Sequence, residues 1–185
     1  DHLSEIGIDF HFNTEVSQIT QVGAQFVLEG DQFQLPTDMV FATAGRTPNV
    51  DTLGLENVGV NVDRHGVVVN EHLQTTNPTI FAMGDVVSTE QPKLTPVAGY
   101  EAGYLAKYFG GDPAPIAFKA IPTMVFGQPS LAQVGVPASI AADNDQYLLI
   151  TNDMHKWYSY HRLNEPVAKA KVVIDRNNET VVGAT

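Results

Sequence analysis

Short apolar stretches separated by turn-forming residues dominate the first part of the chain. Residues 16–19, 25–28 and 32–35 alternate between apolar and polar side chains, and Gly30-Asp31 is a turn signal between the last two. After Asp38, an uninterrupted apolar run predicts a strand over residues 38–42 that is buried on both faces. With a helix-like pattern at the start, these signals predict the end of a small α/β unit.

The middle of the chain combines strand patterns with strong turn signals. Residues 43–49, TAGRTPN, are rich in turn formers. Short strands are predicted at 59–61 and 67–70, joined by the turn sequence DRHG at 63–66. A short buried strand is predicted over 79–85, and it ends in Gly84-Asp85, where the chain must turn.

One long helix is predicted over residues 95–109. Thr95 is suited to the N-cap and Pro96 to the first helical turn, while Gly110-Gly111 ends the helix. Residues 112–115, DPAP, are predicted to be a linker. The predicted apolar face has helical spacing and consists of Ala98, Ala102, Leu105 and Phe109.

After the linker the pattern changes to strands. They are predicted at 123–126, 131–136, 147–151, 167–175 and 180–184, with a short helix at 137–142 and a hairpin turn at 175–178. Strands in this order predict an antiparallel α+β unit. The fold class expected for the whole chain is therefore α/β plus α+β.

Composition and charge exclude several classes of function. The chain has 185 residues, a net charge of −11 and no cysteine. The negative charge argues against nucleic acid and anionic membrane as main partners, and no apolar run is long enough to span a bilayer. The sequence starts without Met inside a helix-like pattern and stops inside a strand-like one, so we expect it to be a piece of a longer protein.

Familiar catalytic and metal-binding signatures are missing from the sequence. None of the six histidines forms an i, i+4 pair, and no P-loop, nucleophile elbow or G-x-G-x-x-G occurs. His155 and His161 flank an aromatic stretch, WYSY, which we expect to be extended and half-buried. We therefore predict no metal site.

The strongest local candidate for chemistry is the pair formed by Gly84-Asp85 and the helix that begins near Thr95. Gly84 permits close backbone approach, Asp85 can accept hydrogen bonds from sugar-like hydroxyls, and a helix N-terminus offers free N–H groups. An ordinary strand ending in a tight turn explains the same residues. Arg46 has a similar pair of interpretations, as a phosphate or carboxylate ligand or as a surface loop residue.

Four motifs in order carry a resemblance to a known family. They are ATAGRTPN at 42–49, T-x4-FAMGD at 76–85, LTPVA at 94–98 and IPTMVFGQP at 121–129. Together they closely resemble the flavin-dependent pyridine nucleotide–disulfide oxidoreductases, and LTPVA resembles the glutathione reductase branch most. The resemblance covers the chain from about residue 6 to its end.

The resemblance implies three partial domains and a half-site for FAD. Residues 1–42 would be the tail of an NAD(P)H-binding domain, 43–115 the second segment of an FAD-binding domain, and 116–185 an incomplete dimerisation domain. It implies FAD as cofactor, NADPH as co-substrate, a small-molecule disulfide as substrate, a homodimer through 116–185 and a cytoplasmic location. The cofactor-binding residues it implies are Gly84, Asp85, Leu94, Thr95 and Pro96 on the flavin and ribityl side, with Gly45, Arg46 and Met124 near the nicotinamide side.

The departures from the family pattern are large. The redox-active Cys-x4-Cys, the ADP-binding G-x-G-x-x-G and the C-terminal His…Glu pair are all missing from this sequence. The spacing from Asp85 to Thr95 is longer than usual, and Gln128 stands where many relatives carry His. We therefore expect no catalytic residue and no reductase activity in this chain alone. Two alternatives stay open: a cofactor-free association module, and a piece of a mercuric reductase, NADH oxidase or lipoamide dehydrogenase.

Overall fold

The computed structural model describes residues 2–185 and divides into two compact units. The first ends at Arg46 and the second is Thr47–Thr185. In the first unit, helix α1 is His2–Glu5, and a three-stranded sheet follows in the order β1-β2-β3. Its antiparallel strands are β1 Gln18–Val22, β2 Gln25–Gly30 and β3 Phe33–Thr37, which confirms the predicted strands and the turn between the last two, with shifted bounds.

The predicted buried strand at 38–42 is wrong for this structure. Pairing in the three-stranded sheet ends at Thr37, and the segment that follows is irregular. Met39 and Phe41 in this segment are exposed, with Phe41 79% accessible. A doubly buried strand needs a neighbouring strand on each side and a layer on each face. Among the described residues of this unit, nothing supplies those neighbours to 38–42.

The second unit begins with loops packed around a small apolar core. A 3₁₀ turn at Leu55–Val58 precedes strands β4 Val62–Asp63 and β5 Gly66–Val67. These strands have two residues each and pair as an antiparallel hairpin. The turn at 63–66 is confirmed, whereas the strands are shorter than predicted and shifted. Beyond them the Val68 N–H still bonds to the Asn61 carbonyl at 3.0 Å, but the Asn61 N–H donates to Thr76 Oγ1 and the Asn70 N–H to the Gln74 carbonyl, so the regular ladder ends. The core consists of Val50, Val60 and Val67, packed against Leu55, Val69, Ile80, Ala82 and Val86.

The predicted strand at 79–85 is also wrong. Phe81 makes only an isolated bridge with Gln74, and Gly84–Val86 forms a 3₁₀ turn. The backbone here is held locally, because Asn77 Oδ1 accepts bonds from the Thr79 N–H at 3.0 Å and the Thr79 hydroxyl at 2.8 Å. These side-chain bonds compete with a regular strand ladder.

Helix α2, Thr95–Phe109, has the predicted extent and ends at Gly110. Two details differ from prediction. Leu94, with extended backbone, is the N-cap, and Thr95 is the first helical residue. The buried stripe is Val97, Glu101 and Leu105, while Phe109 is 64% exposed, so the buried face of the helix is the one beside the predicted face.

The segment after α2 is held along the helix surface. Tyr100 Oη donates to the carbonyl of Ala117 at 2.6 Å, and Tyr104 Oη donates to the carbonyl of Ala114 at 3.0 Å. The N–H of Ile116 bonds to the Glu71 carbonyl at 2.9 Å. The predicted linker and the residues just after it are therefore tied to the helix by tyrosines at i, i+4 spacing, which lie on one side of it.

A five-stranded antiparallel sheet completes the second unit and confirms the predicted α+β organisation. The strand order is β6-β7-β10-β9-β8, and helix α3, Ala138–Ala142, packs against β8 and β9. The strands are β6 Thr123–Val125, β7 Leu131–Gly135, β8 Tyr147–Asp153, β9 Lys169–Asp175 and β10 Thr180–Ala184.

The expected extended stretch between His155 and His161 is wrong. Residues Tyr158–Arg162 form a short helix, α4, with Trp157 as N-cap. Asp153 starts the turn, since its Oδ1 accepts from the His155 backbone N–H and lies 2.6 Å from the His155 ring Nδ1. The aromatic spacing did not reveal this Asx-type turn.

Candidate functional site

The Gly84-Asp85 turn lies directly against the first turns of helix α2. Gly84 has a φ of +77°, which favours glycine, and a Cβ added there would lie 3.4 Å from the Cβ of Ala98. The backbone N–H of Gly84 donates to Glu101 Oε2 at 2.5 Å. The structure thus brings the turn to the helix that starts at Thr95, as the sequence predicts.

The helix start presents the expected backbone groups beside this turn. The N–H groups of Val97 and Ala98 bond back to the Leu94 carbonyl at 3.0 and 3.1 Å, while Pro96 has no N–H. The Thr95 N–H is the first-turn N–H group that these bonds do not use, and the helix dipole gives this end a partial positive charge. Asp85 and Thr95 are both exposed to solvent. An exposed carboxylate and a helix N-terminus therefore lie at this turn.

A lysine connects the turn to the β4–β5 hairpin. Lys93 Nζ donates to the carbonyl of Asp85 at 2.7 Å and to the carbonyl of His65 at 2.6 Å. At the other end of the same loop, Ser88 Oγ donates to Asp63 Oδ2 at 2.7 Å. The loop between Asp85 and Thr95 is therefore held at both ends.

Asp63 organises the hairpin turn to which the loop is tied. Its Oδ1 accepts from the backbone N–H of His65 at 2.7 Å and of Gly66 at 3.0 Å. The Ser88 hydroxyl, followed by the His65 N–H, lowers the pKa of the Asp63 carboxyl below its ordinary value, because both bonds favour the charged form.

The residues implied on the nicotinamide side are divided between the two units. Gly45, with a φ of +139°, and Arg46 belong to the first unit. Met124 lies on the edge strand β6 and is 50% exposed.

The donor and acceptor set of the turn suits a ligand that carries hydroxyls and a polar ring edge. An exposed carboxylate accepts from hydroxyls, and N–H groups at a helix start donate to a carbonyl or an anion.

The structure offers no cluster of metal ligands: residues 2–185 contain no group of three or more His, Asp or Glu side chains placed to hold an ion. Over the same residues, none of the helices has the length and apolar character needed to cross a membrane.

Sequence reasoning missed two residues that hold the turn, Glu101 and Lys93. Glu101 interrupts an apolar stripe at i, i+4 spacing between Val97 and Leu105, and a charge in that position is a signal that could have identified it. Lys93 lies in a loop without periodicity, so its partners could not be read from the pattern.

Comparison with known proteins agrees with the motifs. The model of the family "Pyridine nucleotide-disulphide oxidoreductase" matches residues 1–102. Glutathione reductase from Burkholderia cepacia is 35% identical over 188 aligned positions, covering 100% of this chain and 41% of that protein. Dihydrolipoyl dehydrogenase from Bacillus subtilis (strain 168) is 32% identical, covering 96% of this chain and 38% of that protein.

Solved structures show the same fold. The HOCl-induced flavoprotein disulfide reductase RclA from Escherichia coli superposes with a TM-score of 0.87 at 26% identity. The match covers 99% of this chain and 42% of that one, so the chain spans about two fifths of the length of the relatives it matches. With a family model that matches more than half of its residues, the chain belongs to the pyridine nucleotide–disulphide oxidoreductase family.

Proposed function

We propose that this chain supplies the flavin and ribityl half of an FAD site in a glutathione-reductase-like flavoprotein. The observation that carries the proposal is the Gly84-Asp85 turn, held against the start of helix α2 by the bond from the Gly84 N–H to Glu101. Two named relatives, a glutathione reductase and a flavoprotein disulfide reductase, support the choice of ligand. FAD, when bound, would accept hydride from NADPH and pass electrons on to a disulfide.

Asp85 and the residues at the start of helix α2 each have a defined part in this proposal. Asp85 would accept hydrogen bonds from ribityl hydroxyls, and the backbone N–H of Thr95 would donate to the pyrimidine carbonyl of the flavin. Leu94 sets the extended entry to the helix, and Pro96 fixes its first turn. The positive end of the α2 dipole would stabilise negative charge at that edge of the flavin.

Disulfide chemistry needs groups that this chain does not contain. There is no cysteine in the sequence, so a dithiol cannot form within it. We propose that NADPH-dependent reduction of a small-molecule disulfide belongs to the whole protein, and that the 185-residue chain alone is inactive and colourless. NADPH-dependent disulfide reduction by the purified chain would contradict this part of the proposal.

The half-site can be tested on the chain itself by NMR titration with FAD and with riboflavin. We expect weak binding, with dissociation constants of about 1 mM or lower affinity, because only part of the contacts are present. Amide shifts should change first at Gly84, Asp85 and Thr95. The variant Asp85→Asn should weaken binding, while the exposed Asp145→Asn should not. Shifts confined to other regions, or none at all, would contradict the proposal.

One observation favours association through residues 116–185 as a second function. Register pairs Val181 with Ile174 and Ile174 with Leu148, so these apolar residues lie on one face of the five-stranded sheet. On that face Val181 is 66% exposed, and Leu148 is also exposed. Such a surface is typical of a protein–protein contact.

Size-exclusion chromatography with absorbance detection tests the association, since the half-site proposal also expects a colourless chain. A colourless dimer that becomes monomeric in Val181→Lys would support association, and the matched change Glu179→Lys outside this face should leave the dimer intact. A yellow preparation with flavin absorbance would indicate a complete FAD site and contradict the proposed half-site. A colourless monomer for the unsubstituted 185-residue chain would contradict association.

A further inference from the structure

The buried stripe of helix α2 contains one ionisable side chain, Glu101. It lies between Val97 and Leu105 and is 1% exposed, and it is among the largest fully buried side chains of the described residues. A leucine or methionine could fill the same stripe without removing a carboxyl group from water, which is costly. Packing alone therefore does not account for a carboxyl at this position.

The Glu101 carboxyl reaches across to the backbone of the Gly84-Asp85 turn. Its Oε2 accepts a hydrogen bond from the Gly84 N–H at 2.5 Å. Seventeen residues separate the two in sequence, so this bond is a tertiary tie between helix and turn.

The turn is held on its other side by a second charged side chain. Lys93 Nζ donates to the carbonyl of Asp85, while Glu101 accepts from the N–H of Gly84. The two bonds therefore restrain the backbone immediately before and after the peptide that joins Gly84 to Asp85. With φ of +77° at Gly84, this restraint determines the direction in which the Asp85 side chain leaves the backbone.

We propose that Glu101 is a positioning residue whose carboxyl fixes the Gly84-Asp85 turn on helix α2 and thereby sets the location of the Asp85 carboxylate for a hydroxyl-bearing ligand. The identification of this ligand as FAD rests on the proposed function. The tie itself does not, because it is a property of this chain without a ligand.

The tie is tested on the 185-residue chain by NMR, through the chemical shift and hydrogen exchange of the Gly84 amide. Glu101→Leu keeps an apolar side chain of similar volume but removes the acceptor, and Glu101→Gln keeps an acceptor oxygen. We expect the Gly84 amide proton to move upfield and its protection to fall about tenfold in Glu101→Leu, with partial rescue in Glu101→Gln. The exposed Glu90→Gln is the matched control and should leave Gly84 unchanged.

Two outcomes would overturn the tie. One is an unchanged Gly84 amide in Glu101→Leu. The other is an equal loss of protection throughout helix α2 in both Glu101 variants, since that would make Glu101 a support of the helix as a whole. If Glu101→Leu fails to fold, the Glu101→Gln variant decides. Lower protection of the Gly84 amide, with the protection of the rest of helix α2 preserved, would support the proposal.

The consequence for ligand binding is tested separately by titration with riboflavin. We expect the dissociation constant to rise about fivefold to tenfold in Glu101→Leu and to return towards the parent value in Glu101→Gln. An unchanged dissociation constant together with a shifted Gly84 amide would overturn the positioning role. If the parent chain binds no flavin, the proposed function fails, while the Gly84 result still decides the tie.

Discussion

The ammonium group of Lys93 donates a hydrogen bond to the backbone carbonyl of Asp85, with 2.7 Å between nitrogen and oxygen. The same nitrogen lies 2.6 Å from the carbonyl oxygen of His65. One side chain thus connects the loop before helix α2, the Gly84-Asp85 turn and the β4–β5 hairpin. The longer spacing between Asp85 and Thr95 is accommodated by a loop that is held in place.

Replacing Lys93 by methionine should loosen this connection. Lys93→Met keeps most of the aliphatic stem and removes both bonds, so we expect the free energy of unfolding to fall by about 1 kcal/mol. Urea unfolding followed by fluorescence of the single tryptophan, Trp157, measures the change. Lys156→Met, at an exposed lysine of the same unit, is the control. Equal stabilities for the two variants would contradict the connecting role.

The lowered pKa of Asp63 predicts a loss of stability in acid. A carboxyl whose pKa is lower in the folded state stabilises the fold above its unfolded pKa, near 3.8, and loses this contribution as pH falls through the folded value. Asp63→Asn should therefore be less stable than the parent at pH 7, and the difference should shrink below pH 3.8. Unfolding in urea across this range measures it, with the exposed Asp51→Asn as control. A difference independent of pH would contradict the assignment.

Glu101 predicts the opposite pH dependence. Burial, reinforced by the negative charge of Asp85 and opposed by the Gly84 N–H, raises the pKa of the Glu101 carboxyl above its ordinary value of 4.5. The folded chain then binds a proton more tightly than the unfolded chain, so this group lowers stability as pH rises from 4.5 through the folded pKa. Glu101→Gln removes that slope. Its stability relative to the parent should increase with pH over this range, whereas parallel pH profiles would refute the prediction.

Gly66 predicts a severe effect of a single methyl group. Its φ is +139°, and an added Cβ would lie 2.0 Å from the carbonyl oxygen of Val86. Gly66→Ala therefore combines backbone strain with a clash against the main chain, and we expect a loss of more than about 2 kcal/mol in the free energy of unfolding. Gly111→Ala, at a φ of +99° where a Cβ meets nothing within 4 Å, measures the strain alone. If Gly66→Ala and Gly111→Ala lose equal free energy of unfolding, measured by heat or urea, the clash at Gly66 must be relieved.

Several elements of the fold were predictable because local chemistry determines them. Pro96 and Gly110 define the ends of helix α2 to within a residue. Asp63 closes its turn through bonds to residues two and three positions ahead, which the sequence DRHG already indicates. Such features depend on neighbours along the chain.

Other predictions failed where partners in space were needed. The apolar run at 38–42 has strand character in sequence, yet a strand forms only when adjacent strands accept its hydrogen bonds. Residues 79–85 failed for a related reason. The Asn77 side chain accepts the Thr79 N–H, so a hydrogen bond within the segment takes the place of one to a neighbouring strand. For the site, the motifs identified Gly84, Asp85 and the start of α2, whose mutual contact the structure shows.

The sequence by itself determined the family, through motifs whose order and spacing are specific, and the elements whose boundaries depend on turn and capping residues. Only the tertiary structure decided which residues hold the candidate site together. Glu101 and Lys93 gain their roles from atoms 17 and 8 residues away along the chain. Burial and hydrogen-bond partners at such separations are set by how segments pack, and that packing is not written in any local pattern.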